Sequence, residues 1–312
     1  MPTREIVAIG GSAGSMEALK SVIGKLPPDF GAAVFVTIHL SPRAKSHLPE
    51  VLGRVSQIPV VAARDGQAVS SGTIYVAVPD RHLLVAENHI HLTRGPKEGL
   101  HRPSINVTFR SAAGAYGNKV VGVLLSGMLD DGASGLWDIA KRDGVAIVQD
   151  PDEAEFPSMP MSALQDFAVN YVSKVNDIAP LLTRLVQGSE IPEMPDRIHV
   201  VPSNGQEHLT GFTCPECRGP LYEHRSSPPE FRCRVGHMFP LKTLLEEETT
   251  TQERKLYEAI VSLEEGADLA EYAATRRDQG DPERLSREAK QLREHAAGIR
   301  KLIEERVSPS VD

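Results

Sequence analysis

Over residues 1–187 of the 312-residue chain, short runs of consecutive apolar residues alternate with segments whose apolar residues return every three or four positions. Residues 6–9, 32–38, 73–78, 120–125 and 145–148 are nearly continuous apolar runs, the pattern of parallel strands buried on both faces. Between them the spacing predicts helices at 15–25, 47–56, 104–116, 133–142, 161–167 and 178–187; Met16, Leu19, Val22, Ile23 and Leu26 carry it in the first. This alternation predicts an α/β fold over 1–188: a three-layer, doubly wound, mostly parallel sheet with functional residues at the carboxyl ends of its strands. Residues 83–92 read as a hairpin turning at Glu87-Asn88, an antiparallel margin of that sheet.

Residues 189–207 lose apolar periodicity and gain Pro192 and Pro195, the composition of a linker. A small module follows at 208–240, and then a helical segment at 241–312. There Leu256, Ile260, Leu263, Ala267, Ala270 and Ala274 alternate four-three-four, and Leu285, Ala289, Leu292, Ala296, Ile299 and Ile303 repeat the pattern. Gly280 is expected to end the first helix, with Asp281 and Pro282 starting the second. Each seam is coiled-coil-like. An antiparallel hairpin would bury both seams; docking on another long-helix protein, or on a second copy of the chain, is the alternative.

Composition narrows the class. With 40% hydrophobic and 24% charged residues the chain is ordinary for a soluble protein. Its apolar runs are too short for a bilayer and no signal-peptide pattern opens it, so a cytoplasmic protein without membrane insertion is expected. The net charge of −8 falls mostly on residues 189–312. No basic stripe stands out, which argues against nucleic acid as a partner. The three cysteines all lie between 214 and 233, a cluster that fits metal better than disulfides. Cys214 and Cys217, then Cys233 and His237, make two close pairs suited to a closed, structural tetrahedral zinc site. The competing readings are three free thiols, or His208 or His224 as the fourth ligand.

Gly10-Gly11-Ser12-Ala13-Gly14 matches G-x-S-x-G between a strand and a helix, a turn that presents a serine hydroxyl beside a helix N-terminus. The alternative is a glycine turn that lets the helix pack closely or cradles a phosphate, although neither phosphate-loop spacing is met. A nucleophilic Ser12 needs a base and a carboxylate to orient it. Of eleven histidines only His39 directly follows a run that reads as a buried strand; His47, His82, His89, His91 and His101 lie in helical, hairpin or loop contexts. Asp130 and Asp131 sit on the glycine-rich turn after the run at 120–125, where either could serve the histidine or cap the next helix. Serine, histidine and aspartate at three strand ends point to a hydrolase.

These residues resemble the catalytic domain of the bacterial chemotaxis protein-glutamate methylesterases. The likeness runs through Ile9-Gly10-Gly11-Ser12-Ala13-Gly14-Ser15, Ile38-His39-Leu40 and Gly127-Met128-Leu129-Asp130-Asp131-Gly132. Tyr75-Val76-Ala77, His82-Leu83, Arg102-Pro103-Ser104-Ile105-Asn106 and Phe156-Pro157-Ser158-Met159-Pro160 support it, over about residues 4–187. The resemblance implies Ser12 as nucleophile, His39 as base and Asp131, the aspartate next to the glycine, as its orienter. It also implies the N–H groups of Met128 and Ala13 as oxyanion donors, no cofactor for catalysis, and methylated chemoreceptors or related signalling proteins as partners. Hydrolysis of glutamate methyl esters, with glutamine deamidation by the same machinery, is the implied activity; a receptor-binding scaffold without turnover is the contrast. Departures are Ser15 and Leu129 where the family has glycine, and Ile38 where it has glutamine. The family's receiver domain would precede the first strand, which starts near residue 5, so switching by an attached receiver is not expected. The cysteine module resembles a zinc ribbon. No candidate catalytic residue comes from 189–312, so simple esterase activity is expected to survive its removal.

Overall fold

The computed structural model describes residues 4–39, 46–188, 207–226, 228–276 and 281–307. Nearly all of the expected linker, together with Leu40 and Gly280, lies outside them. The chain divides into two compact units, Met1–Leu244 and Leu245–Asp312.

In the first unit β1 (Ile6–Gly11), α1 (Ser15–Gly24), β2 (Ala33–Ile38), α2 (Leu48–Gly53), β3 (Val60–Ala62) and β4 (Ile74–Val76) are followed by a hairpin, β5 (His82–Ala86) and β6 (His89–Thr93). Then come α3 (Ile105–Tyr116), β7 (Val120–Leu124), α4 (Ala133–Lys141), β8 (Val145–Gln149), α5 (Ser158–Asp166), β9 (Tyr171–Ser173) and α6 (Val175–Val186). Seven strands form one parallel sheet in the order β3-β4-β2-β1-β7-β8-β9. Alternation along each strand divides the core into two layers. Val7, Ile9, Val34, Val36 and Val123 face α1, α2 and α6 through Leu19, Leu52 and Leu182. Ile6, Ala8, Phe35, Tyr75 and Val148 face α3, α4, α5 and the hairpin through Phe109, Leu136, Met159 and Val85.

Three details depart from the sequence pattern. The hairpin at 82–93 forms a two-stranded antiparallel sheet of its own rather than joining the main one, because the place beside β4 is taken by β3. Strands β3 and β9, three residues each at the two edges, are too short to show a period. Helices α5 and α6 begin three residues earlier than predicted. Pro160 sits in a first turn, where its missing N–H costs little, and Pro180 is carried inside a helix anchored by Val175, Ile178 and Leu182.

The same unit includes a four-stranded antiparallel sheet: β10 (His208–Thr213), β11 (Pro220–Ser226), β12 (Pro229–Cys233) and β13 (Met238–Pro240). Its small core of Cys214, Leu221, Phe231, Cys233, Phe239 and Leu244 takes in Leu100 from the α/β part. The loop before α3 pairs with β13 through Gly99 N–H to Met238 O at 2.8 Å, and Lys97 meets Glu216 at 2.8 Å. Helix α7 (Leu241–Ala274) begins directly after β13 and runs on into the second unit, where α8 (Pro282–Val307) packs against it. Asp281 starts α8, accepting the Glu283 N–H on its side chain at 3.0 Å. The hairpin is antiparallel: Ile260 meets Ala296 and Ile303, while Ala267 and Ala270 meet Ala289. Arg293 adds ion pairs to Asp268 at 2.9 Å and to Glu271.

Helices α3 and α4 approach most closely at Gly135, where a Cβ would lie 2.7 Å from Phe109 Cβ and 2.9 Å from the Asn106 backbone. Gly135→Ala is therefore expected to lower stability by about 1–3 kcal/mol. An unchanged urea midpoint would refute that packing.

Candidate active site

The strand order reverses between β1 and β7, and in a doubly wound sheet the crevice beyond that point is the natural binding site. Ser12 follows β1, His39 follows β2, and Asp131 lies on the turn after β7. The turn at Ser12 closes through Gly14, left-handed at φ 70°. Ser12 N–H donates to Ser126 O at 2.9 Å, tying this elbow to the end of β7. Gly127 makes that approach possible, since a Cβ there would lie 2.9 Å from Ser12 Cβ and 2.1 Å from Met159 Sδ.

The three side chains form one hydrogen-bonded line: Ser12 Oγ to His39 Nδ1 at 2.9 Å, and His39 Nε2 to Asp131 Oδ2 at 2.7 Å. An ionised carboxylate only accepts, so Nε2 carries the hydrogen and Nδ1 presents its lone pair to the serine hydroxyl. Asp131 also accepts from Ser104 Oγ at 2.9 Å and from the N–H groups of Ile105 at 2.8 Å and Asn106 at 3.0 Å. It thus caps α3, not the helix that follows it. Asn106 returns the favour to α4, its Oδ1 accepting from Gly132 N–H at 2.9 Å and Gly135 N–H at 2.8 Å. Burial opposes the charge on Asp131, but the hydrogen bond and charge of His39, the field of His101 and the Ile105 N–H outweigh it and hold the carboxyl well below the usual range.

Asp130 turns the other way. It is buried, and its carboxylate accepts from the hydroxyl and backbone N–H of Thr243 at the start of α7. Leu129, just before the two aspartates, has φ 66°, which explains the resemblance's glycine there. Its carbonyl is held by Ser158 Oγ at 3.2 Å and Ser162 Oγ at 3.1 Å. Ser126 N–H goes to Gln149 Oε1 and Gly127 N–H to Phe156 O. With those and the Ser12 N–H engaged, the next donors along the two turns are the N–H groups of Met128 and Ala13.

His101, a loop residue with no periodic signal, stacks on His39 with ring centroids 3.5 Å apart and planes 7° from parallel. Burial and the adjoining His39 push it down to about 4, so it stacks as a neutral ring. His39, His101 and Asp131 each bring one donor atom within 4.8 Å of the others. Stacked rings keep their lone pairs in separate, nearly parallel planes, however, so the two imidazoles do not converge on one ion. His82 is structural, bonding Pro96 O at 2.9 Å and the Ser104 N–H at 3.3 Å.

In the four-stranded sheet, donor atoms of Cys214, Cys217, Cys233 and His237 lie within 4.8 Å of one another. The separations are 3.6 Å from Cys217 to Cys233 Sγ, and 3.7 and 3.5 Å from His237 Nδ1 to Cys214 and Cys233 Sγ. Tetrahedral zinc with bonds of about 2.3 Å to sulfur and about 2.05 Å to nitrogen requires edges of roughly 3.5–3.8 Å.

A glycine-bracketed serine, an imidazole and a buried carboxylate at the crevice of a doubly wound sheet place the protein among the hydrolases. The family model for the CheB methylesterase matches residues 7–182, and the chain belongs to that family. A putative protein-glutamate methylesterase/protein-glutamine glutaminase of Leptospira interrogans (strain Fiocruz L1-130) is 36% identical over 186 residues, 59% of this chain and 96% of that protein. The protein-glutamate methylesterase/protein-glutamine glutaminase of Yersinia pestis bv. Antiqua is 34% identical over 61% of this chain and 56% of its own length. The crystal structure of the Thermotoga maritima CheB methylesterase catalytic domain superposes with a TM-score of 0.57 at 32% identity, covering 59% of this chain and all of that one.

The acid behaviour of Asp131 follows from its surroundings. Its folded value lies below the ordinary 3.8, so the stability it confers is complete above that value and is lost as pH falls toward the folded one. Urea denaturation from pH 7 to pH 3 should show wild type losing more stability than Asp131→Asn. Parallel losses would contradict this.

Proposed function

We propose that the chain hydrolyses glutamate methyl esters on chemoreceptors, and deamidates receptor glutamines with the same groups. The observation that carries this is the line from Ser12 Oγ through His39 to Asp131, at 2.9 and 2.7 Å. Ser12 Oγ attacks the ester carbonyl while its proton passes to His39 Nδ1, and Asp131 stabilises the resulting imidazolium through Nε2–H. The N–H groups of Ala13 and Met128 receive the negative charge on the carbonyl oxygen, a contribution worth about 10²–10³ in rate per donor in a related site. Collapse expels methanol, which takes the proton from His39. Water then gives a proton to His39 and attacks the glutamyl-Ser12 ester, releasing glutamate and restoring the hydroxyl.

No helix among the described residues is long and apolar enough to cross a membrane, and we read the enzyme as cytoplasmic, working on the receptors' cytoplasmic helices. Cys214, Cys217, Cys233 and His237 would hold a structural zinc, for which the edge lengths above are the support; it supplies cross-linking and no chemistry. The hairpin of α7 and α8 would serve as a contact for receptor helices or a second copy.

Methyl-labelled receptor incubated with the protein should release methanol. Ser12→Ala should abolish release, and Asp131→Asn should cost about 10⁴ in rate, as in a related triad; release undiminished by Ser12→Ala would leave a scaffold. Elemental analysis should find about one zinc per chain, lost on Cys214→Ser.

A further inference from the structure

The turn carrying Met128 and Asp131 is also gripped by residues of the C-terminal segment. Asp130 caps the first turn of α7, accepting the hydroxyl and N–H of Thr243. The neighbouring Lys242 donates to Ser158 Oγ at 2.6 Å, and Ser158 Oγ in turn holds Leu129 O. Just past the turn, Ser134 Oγ donates to Glu230 of β12. Glu230 shares Arg110 of α3, at 3.0 Å, with Glu98 at 2.9 Å and Asp138 at 3.1 Å. These three carboxylates are at most 5% exposed, so the C-terminal segment meets the α/β part through buried charge rather than as a loose tether.

The turn has reason to need this hold. It places Leu129 in the left-handed region, a conformation unfavourable for a residue with a side chain, and it buries two adjacent aspartates. Asp131 has its own partners in His39 and α3. Asp130 finds its partners in α7.

We propose that the cysteine-bearing sheet and the first turn of α7 form a built-in clamp on the turn that carries Met128 and Asp131, with Thr243 and Glu230 as positioning residues for ester hydrolysis. The proposal rests on the reading of Ser12, His39 and Asp131 as the reacting groups. Misplacement by about 1 Å can cost on the order of 10² in rate. Releasing one of several ties should therefore lower kcat by about tenfold, with KM little changed. It also reverses the expectation that residues 189–312 are dispensable for simple esterase activity.

The test uses the full chain and a small activated ester, comparing wild type with Thr243→Val, Thr243→Ser and Ser134→Ala. Thr243→Val removes the hydroxyl from Asp130 while keeping shape. Ser134→Ala cuts the second tie while leaving the ion pair of Glu230 with Arg110 in place. We expect kcat to fall in both, and Thr243→Ser to restore it. A pH profile separates positioning from general loosening. Asp130 is pushed up to about 6 by burial against the pull of Thr243, and it faces Asp131 on its own turn, Asp166 of α5 and Lys242 of α7. Without the hydroxyl it should stay protonated to higher pH, so the acid limb of kcat should move upward in Thr243→Val and return in Thr243→Ser. Wild-type kcat in both Thr243→Val and Ser134→Ala, or a loss in Thr243→Val that is uniform with pH and not restored by serine, overturns the clamp. Ser12→Ala, run in parallel, tests the underlying reading: turnover persisting there sinks the catalytic assignment, whereas its loss beside unaffected clamp variants sinks the clamp alone.

Discussion

A buried carboxylate holds this site together. Removing a charge from water costs several kcal/mol unless partners replace the solvent, and Asp131 recovers its hydration from His39, Ser104, Ile105 and Asn106. Those partners come from the end of β2 and the start of α3. The turn after β7 therefore cannot settle until both are in place, and the demand for hydrogen bonds joins elements far apart in the chain. The same demand fixes the imidazole. Because the carboxylate can only accept, His39 is obliged to aim Nε2–H at it and to leave Nδ1 for Ser12.

Topology supplies the space. Strands β1, β2 and β7 are adjacent in a parallel sheet, so their carboxyl ends share one rim, and the reversal of strand order beside β1 opens a crevice there. The crevice is narrow at Gly127, where the β7 turn meets the Ser12 elbow closely enough to exclude any side chain. Stacking of His101 on His39 covers one face of the imidazole with a neutral ring. A second protonated imidazole at that distance would oppose the imidazolium that the proposed ester cleavage forms on His39.

The C-terminal segment shows two kinds of packing. Its four-stranded sheet is too small to bury much apolar surface, with a core of six buried side chains among the described residues and help from Leu100. A guanidinium shared by Glu98, Asp138 and Glu230 ties it to the α/β part. The helical unit instead buries thin seams rich in alanine and places arginines across from acids. Exposed Tyr257, Val261 and Tyr272 leave apolar surface on its outer side.

Local pattern was enough to reveal much of the protein. Continuous apolar runs marked five of the seven strands of the main sheet, three-and-four spacing marked the helices, and glycine-bracketed Ser12, strand-end His39 and the Asp130-Asp131 turn announced hydrolase chemistry. The paired spacing of Cys214, Cys217, Cys233 and His237 picked out four residues whose donor atoms the fold brings within 4.8 Å of one another. These features are legible because each is a property of neighbours along the chain. What only the tertiary structure decided depends on distance in space. Asp130 and Asp131 are alike in local pattern and only the family resemblance set Asp131 apart; the fold binds Asp131 to α3 and His39 and Asp130 to α7. His101 looked like any loop histidine until the fold laid it on His39. Nothing in the sequence around Arg110 points to its partners, yet Glu98, Asp138 and Glu230, from three other parts of the chain, close around it. Hydrogen bonds and ion pairs between remote residues leave no period in a sequence, so the partners of a buried charge become known only when the chain has folded around it.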